Sequence, residues 1–74
     1  MADVALRAFN ASGYEILDDR IARGEVVIWS VDPLVPRIGD SFLIESRGRA
    51  YDASVEDLTL LRGGWSARCR ARPA

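Results

Sequence analysis

The apolar positions of this 74-residue chain recur mostly with a period of two, the spacing of strands whose side chains alternate between faces. The clearest case is near the C-terminus, where Trp65, Ala67, Cys69 and Ala71 alternate with Ser66, Arg68, Arg70 and Arg72. One face of that strand is predicted to pack and the other to be basic. Arg62-Gly63-Gly64 before it supplies a turn, so its hairpin partner is the segment from Gly48 to Leu60. Within that segment Tyr51, Ala53 and Val55 share one parity and Leu58 and Leu60 the other. A one-residue change of phase inside one strand predicts a β-bulge, placed at Glu56-Asp57.

Upstream, Ser41 to Glu45 reads as a short strand joined to this one by a Ser46-Arg47-Gly48 turn, which makes a meander of three. Glu25 to Val31 is rich in β-branched residues, carries Trp29 and is apolar on both faces, the pattern of a strand buried on both sides or packed against a partner, and the best candidate for the sheet centre. The stretch Asp32 to Asp40 contains two prolines that fix φ and forbid regular pairing, so it reads as a stiff connection whose Leu34, Val35 and Ile38 cap the core. Val4 to Phe9 reads as a strand followed by a turn over residues 10–13. Tyr14 to Leu17 reads as another strand followed by a loop, with one or two helical turns near residues 16–23, stopped by Gly24, as the alternative. The sum is a single all-β domain spanning 1–74, an antiparallel β-sandwich or SH3-like barrel of five or six short strands.

A chain of this length closes only a small core, and small cores are usually reinforced by disulfides, a metal or neighbours. Cys69 is the sole cysteine and histidine is absent, which removes an internal disulfide and a Cys/His zinc site and leaves association. The longest apolar runs, such as Val26 to Trp29, fall far short of the roughly 20 residues that cross a bilayer. The N-terminal Met-Ala-Asp-Val does not read as a secretory signal, and one free thiol fits a cytoplasmic origin. The net charge of -1 offers no general attraction to nucleic acid or anionic lipid. Its distribution is uneven: six acids face three arginines up to Pro36, and five acids face seven arginines after it. Every cation is arginine, the residue favoured for planar carboxylate pairing at protein interfaces.

No catalytic constellation emerges. Without histidine the usual base near neutral pH is missing, and the adjacent pairs Asp18-Asp19 and Glu56-Asp57 are expected to point to opposite faces of a strand. Cys69 lies on the packed face with no base beside it and reads as a small buried hydrophobe. Gly63-Gly64 lacks the lysine and following helix of a phosphate loop, and the acids fail calcium-loop spacing, so no metal or cofactor is expected. The row Arg68, Arg70, Arg72 could meet nucleic-acid phosphates, which the near-zero net charge disfavours. It could equally meet the Asp18-Asp19 region of a neighbouring copy in a charge-complementary ring.

The order of four segments carries a resemblance. Glu25-Val26-Val27-Ile28-Trp29-Ser30-Val31-Asp32 precedes Pro36-Arg37-Ile38-Gly39-Asp40-Ser41-Phe42-Leu43-Ile44. Arg49-Ala50-Tyr51-Asp52-Ala53-Ser54-Val55-Glu56 follows, and then Gly63-Gly64-Trp65 opens the final strand. This order, over residues 4–70, resembles the small head-tail joining proteins of long-tailed phages, of the lambda type. The resemblance implies a non-enzymatic β-sandwich or barrel-like domain, made in the host cytoplasm and assembled as a ring in the virion neck, with a monomer as its free form. Its implied partners are other neck and tail proteins, without membrane or cofactor and with nucleic acid disfavoured. Relative to that pattern the N-terminal part is short, lacking the long extension and the long loop before the central strand. The contact residues nominated are Asp18, Asp19 and Arg20 in the compressed loop and Arg68, Arg70 and Arg72 on the last strand.

Overall fold

The computed structural model describes residues 8–11 and 13–74, with residues 8–10 described by their backbone alone. Six strands follow one another: β1 (Ala8–Asn10), β2 (Glu15–Leu17), β3 (Glu25–Ser30), β4 (Ser41–Ser46), β5 (Arg49–Leu61) and β6 (Gly64–Pro73). They form one sheet in the order β1-β4-β5-β6-β3-β2, curled into a half-barrel. The all-β expectation holds. One pairing departs from the antiparallel reading, since β1 runs parallel to β4. Of the N-terminal strand expected over Val4 to Phe9, residues 4–7 lie outside the described residues.

The meander β4-β5-β6 forms as the turn residues dictate. Ser46 pairs with Arg49, and the two residues between them, Arg47 (φ 54°) and Gly48 (φ 77°), both take positive φ, which a tight type I′ turn requires. Hydrophobic alternation sets the faces of β6: Trp65, Ala67, Cys69 and Ala71 are buried, while Arg68, Arg70 and Arg72 are exposed. The change of phase in β5 is also real. Val55 pairs with Cys69 and Asp57 with Arg68, so Glu56 is the extra residue of a bulge.

The core lies on the concave face. Val26 and Ile28 of β3, Phe42 and Ile44 of β4, and Ala53 and Val55 of β5 join the four buried residues of β6. Tyr14 stands edge-on to Phe42 and to Trp65, with ring centroids 5.9 and 5.5 Å apart, and Phe42 stacks near Trp65 at 6.1 Å. Such pairs add about 0.5–1.5 kcal/mol each beyond their burial. The indole Nε1 of Trp65 donates to the Asp32 carbonyl at 3.0 Å, so the largest buried ring leaves no polar atom unsatisfied and also pins the connection after β3.

Two expectations fail here for physical reasons. β3 lies fifth in the sheet, and only Val26 and Ile28 are buried on it, while Val27 is half-buried and Trp29 exposed. Its outer apolar residues face outward because no second layer covers the convex side, and the covered centre belongs to β5 and β6. In the connection to β4, Pro36 is fully buried and Val35 packs on the core, but Leu34 and Ile38 are exposed. Two side-chain bonds hold this stretch: Asp32 Oδ1 accepts from the Leu34 amide at 2.8 Å, and the fully buried Asp40 accepts from the Arg37 amide at 2.8 Å. Both alternatives for residues 14–23 are partly realised. β2 ends at Leu17, and a single 3-10 turn, Ile21–Arg23, ends at Gly24.

Candidate interaction surface

On the convex face the arginine row of β6 lies between β5 and β3. Arg68 lies opposite Asp57 and Val27, Arg70 opposite Ser54 and Glu25, and Arg72 opposite Asp52. Arg68 reaches Asp57 at 3.4 Å, and Arg70 Nε donates to Glu56 at 2.9 Å. The bulge makes both pairs. Two consecutive carboxylates on a regular strand would point to opposite faces, but the extra residue turns Glu56 and Asp57 both outward onto the arginine row. The expectation that these acids diverge is therefore wrong. Each is committed to its own guanidinium, and the Glu56 bond is the main cause raising the Arg70 pKa. Both pairs are more than a third exposed, so each contributes at most about 1 kcal/mol.

The other nominated residues divide between two places. Asp19, Arg20 and Arg68 line one shallow hollow of about 410 Å³ together with Leu17, Glu25 and Val27. Arg20 stands 3.8 Å from Glu25 at its rim. Asp18 is not part of that hollow. It turns toward the other side of the sheet, where its carboxylate accepts a hydrogen bond from the buried Ser46 hydroxyl at the end of β4. Arg72 is exposed at the far end of β6. The six residues thus do not form one site.

The Asp18–Ser46 bond joins the residue after β2 to the end of β4, strands that are not neighbours in the sheet, and so marks the seam of the half-barrel. At its other end the seam is closed where the Ala11 amide donates to the Leu43 carbonyl at 3.3 Å, just past the β1–β4 pairing. Between these two ties a cleft of about 480 Å³ opens, lined by Ala11, Gly13, Tyr14 and Ile16 on one side and Leu43, Ile44, Glu45 and Ala50 on the other. Its walls mix polar and apolar surface in nearly equal measure, with the exposed Glu45 as the acidic member. The Tyr14 pKa is raised by its burial first and then by Asp32, whose carboxylate accepts from its hydroxyl at 3.3 Å.

An apolar surface lies at the end of the β5–β6 hairpin. β4 pairs with β5 only as far as Ser54, and the backbone of residues 39 and 40 bonds to Val55. Beyond the bulge, among the described residues, β5 pairs with β6 alone. The end of this hairpin, where β5 is an edge strand while β6 stays paired with β3, carries Leu60, 70% exposed, and Leu61, with Arg62 beside them in the turn. Val31, 73% exposed, lies nearby, because Gly64 comes so close to β3 that a Cβ there would stand 2.6 Å from the Ser30 carbonyl oxygen and 3.4 Å from the Val31 Cα. The parity shared by Leu58 and Leu60 predicts packing for both. Only Leu58 packs against the core, since the sheet that covers it ends before Leu60 is reached.

Chemically, the surface offers contacts. Cys69 is buried, and burial first, then the charge of Glu56, pushes its thiol up to about 12, which suppresses the nucleophilic thiolate near neutral pH. Among the described residues no group of three acids or cysteines lies together to hold a metal. Fold and surface define a small all-β half-barrel with an ion-paired convex face, a seam cleft and an exposed apolar arm. Comparison with protein families, curated proteins and solved structures returns no match.

Proposed function

We propose that this chain is a non-enzymatic building domain that works by docking onto neighbouring protein chains, as a head-tail joining protein assembled in a ring in a virion neck. The observation that carries the reading is the exposed arm. Leu60 and Leu61 are exposed at the end of the β5–β6 hairpin, where β5 has β6 on one side and an open edge on the other, an arrangement useful for a domain that is covered on assembly. The particular role rests on the resemblance of the segment order to that of the lambda-type joining proteins. Arg68 and Arg70 are occupied by Asp57 and Glu56, which weighs against a phosphate-binding face. The alternative of a small SH3-like binding module for protein or nucleic acid draws on the seam cleft, and it predicts capture of one such ligand without any effect on virion assembly.

Deleting the gene from the parent phage and imaging the lysate by electron microscopy tests the reading. Filled heads and separate free tails are the expected products. Normally joined virions would overturn it.

A further inference from the structure

An open strand edge is a template for another strand, and natural sheets blunt such edges with charges, prolines or a covering segment. β5 carries one. Upstream of the bulge its edge is filled, by β4 as far as Ser54 and then by the backbone of residues 39 and 40, which bonds to Val55 at 2.9 and 2.8 Å. From Asp57 to Leu61 it pairs, among the described residues, with β6 alone. That stretch has no proline, and its one charge is at the first position.

The pattern along this edge is complementary to itself when reversed. Glu56 and Asp57 stand at its start and Arg62 just past its end. Leu58 and Leu60 face the concave side, opposite Ala67 and Trp65, while Asp57, Thr59 and Leu61 face the convex side. An antiparallel copy centred on Thr59 sets Leu58 against the partner's Leu60, Leu60 against the partner's Leu58, and Glu56 beside the partner's Arg62. Residues of one parity share a face, so both leucine contacts fall on the concave side and cover Leu60. Other registers fit worse. A shift toward the bulge runs the added strand into residues 39 and 40, and a shift away from it sets Arg62 beside Leu58.

We propose that two copies of this chain pair antiparallel along Asp57–Leu61, with Thr59 on the twofold axis, so that two half-barrels share one continuous sheet. The pairing goes beyond the neck reading and does not rest on it, since a twofold contact uses the same surface on both copies and closes at two. Where the resemblance implies a free monomer, the open edge points to a pair. The charges at the two ends fix direction and register more than affinity.

Sedimentation velocity of the purified full chain from micromolar to millimolar concentration, with a cysteine crosslink to read the register, tests the pair. A monomer–dimer equilibrium is expected, weakened at least about tenfold by Leu60→Asp, which sets a carboxylate against the partner's Leu58. Thr59→Cys brings two Cα atoms to about 4.5–5.5 Å across the axis, within disulfide reach, and oxidised glutathione should join the copies. Asp57→Cys leaves its thiols four positions out of register, about 13 Å apart, and should not crosslink. The native Cys69 is buried and does not compete. All three substituted positions are exposed, and unchanged circular dichroism would show that the variants fold. A chain that stays monomeric at every concentration overturns the pair and leaves the edge to a strand of a different protein. Dimers indifferent to Leu60→Asp, or crosslinking as fast at position 57 as at position 59, overturn it as well. Failure of the pair leaves the neck role standing, whereas joined virions after gene deletion remove that role and leave the pair intact.

Discussion

Val55 and Leu60 are five positions apart on one strand, yet Val55 is 2% exposed and Leu60 is 70% exposed. The bulge at Glu56 lies between them. Before it, β5 has β4 on one side and β6 on the other, and its inward residues complete the core. After it, β5 has only β6, and beyond Leu58 its leucines, Leu60 and Leu61, meet solvent. Apolar character alone does not separate the two halves of the strand. The number of neighbouring strands does, and the same hydrophobic residue stabilises the fold on one side of the bulge and is available for contact on the other.

The largest effect should come from placing one truncation on each side of this division. Trp65→Ala removes a buried ring from the aromatic cluster, and its hydrogen bond to Asp32, and is expected to cost about 3–5 kcal/mol in urea unfolding. Leu60→Ala is expected to change stability by less than about 0.5 kcal/mol. Equal losses would mean that the arm belongs to the core.

A smaller effect sharpens where the arm is anchored. Gly64→Ala drives a methyl group against the Ser30 carbonyl and should cost about 1–3 kcal/mol, or detach the arm from β3. Gly63→Ala meets nothing within 4 Å and carries only the strain of a positive φ of 80°, about 1 kcal/mol. Thermal melting of the two variants ranks them, and a milder Gly64 variant would contradict the close approach.

The next effect is confined to alkaline pH and reports on the core side. The Cys69 thiol has an ordinary value of 9.0 and is pushed up to about 12 in the fold, so the folded chain binds more protons than the unfolded chain between those values. Stability from this group is complete below pH 9 and falls as pH rises toward 12. Replacing Cys69 with Ala should flatten that part of the profile, as measured by urea midpoints against pH. An unchanged alkaline slope would place the thiol outside the core. The smallest effect belongs to the convex face: Arg70→Ala, which breaks the pair with Glu56, should cost no more than about 1 kcal/mol and less at high salt.

Much of this architecture was legible from parity. Alternation from Trp65 to Ala71 specified which face of the last strand packs, and the slip of phase between Val55 and Leu58 located the bulge. Parity is a local property, and that is why it failed elsewhere. It cannot tell that β3 lies near an edge without a covering layer, so Trp29 looked buried on the pattern of its neighbours. Nor can it tell where a partner strand ends, and Leu60 carries the same signal as Leu58. The nominated surface fared unevenly for the same reason. Asp19, Arg20 and Arg68 meet in one hollow, but Asp18 crosses the seam to Ser46, a contact between residues 28 apart that no local pattern encodes. The outward turn of Glu56 and Asp57 together follows from the bulge and could have been read from it.

The division of β5 into a core half and an exposed half is tested most directly by methyl NMR of the dilute chain with a soluble paramagnetic agent. The Leu60 and Leu61 methyl signals should broaden strongly, while those of Val55 and Val26 stay sharp. Valine signals that broaden as much as the leucines, or leucine signals that stay sharp, would contradict the account.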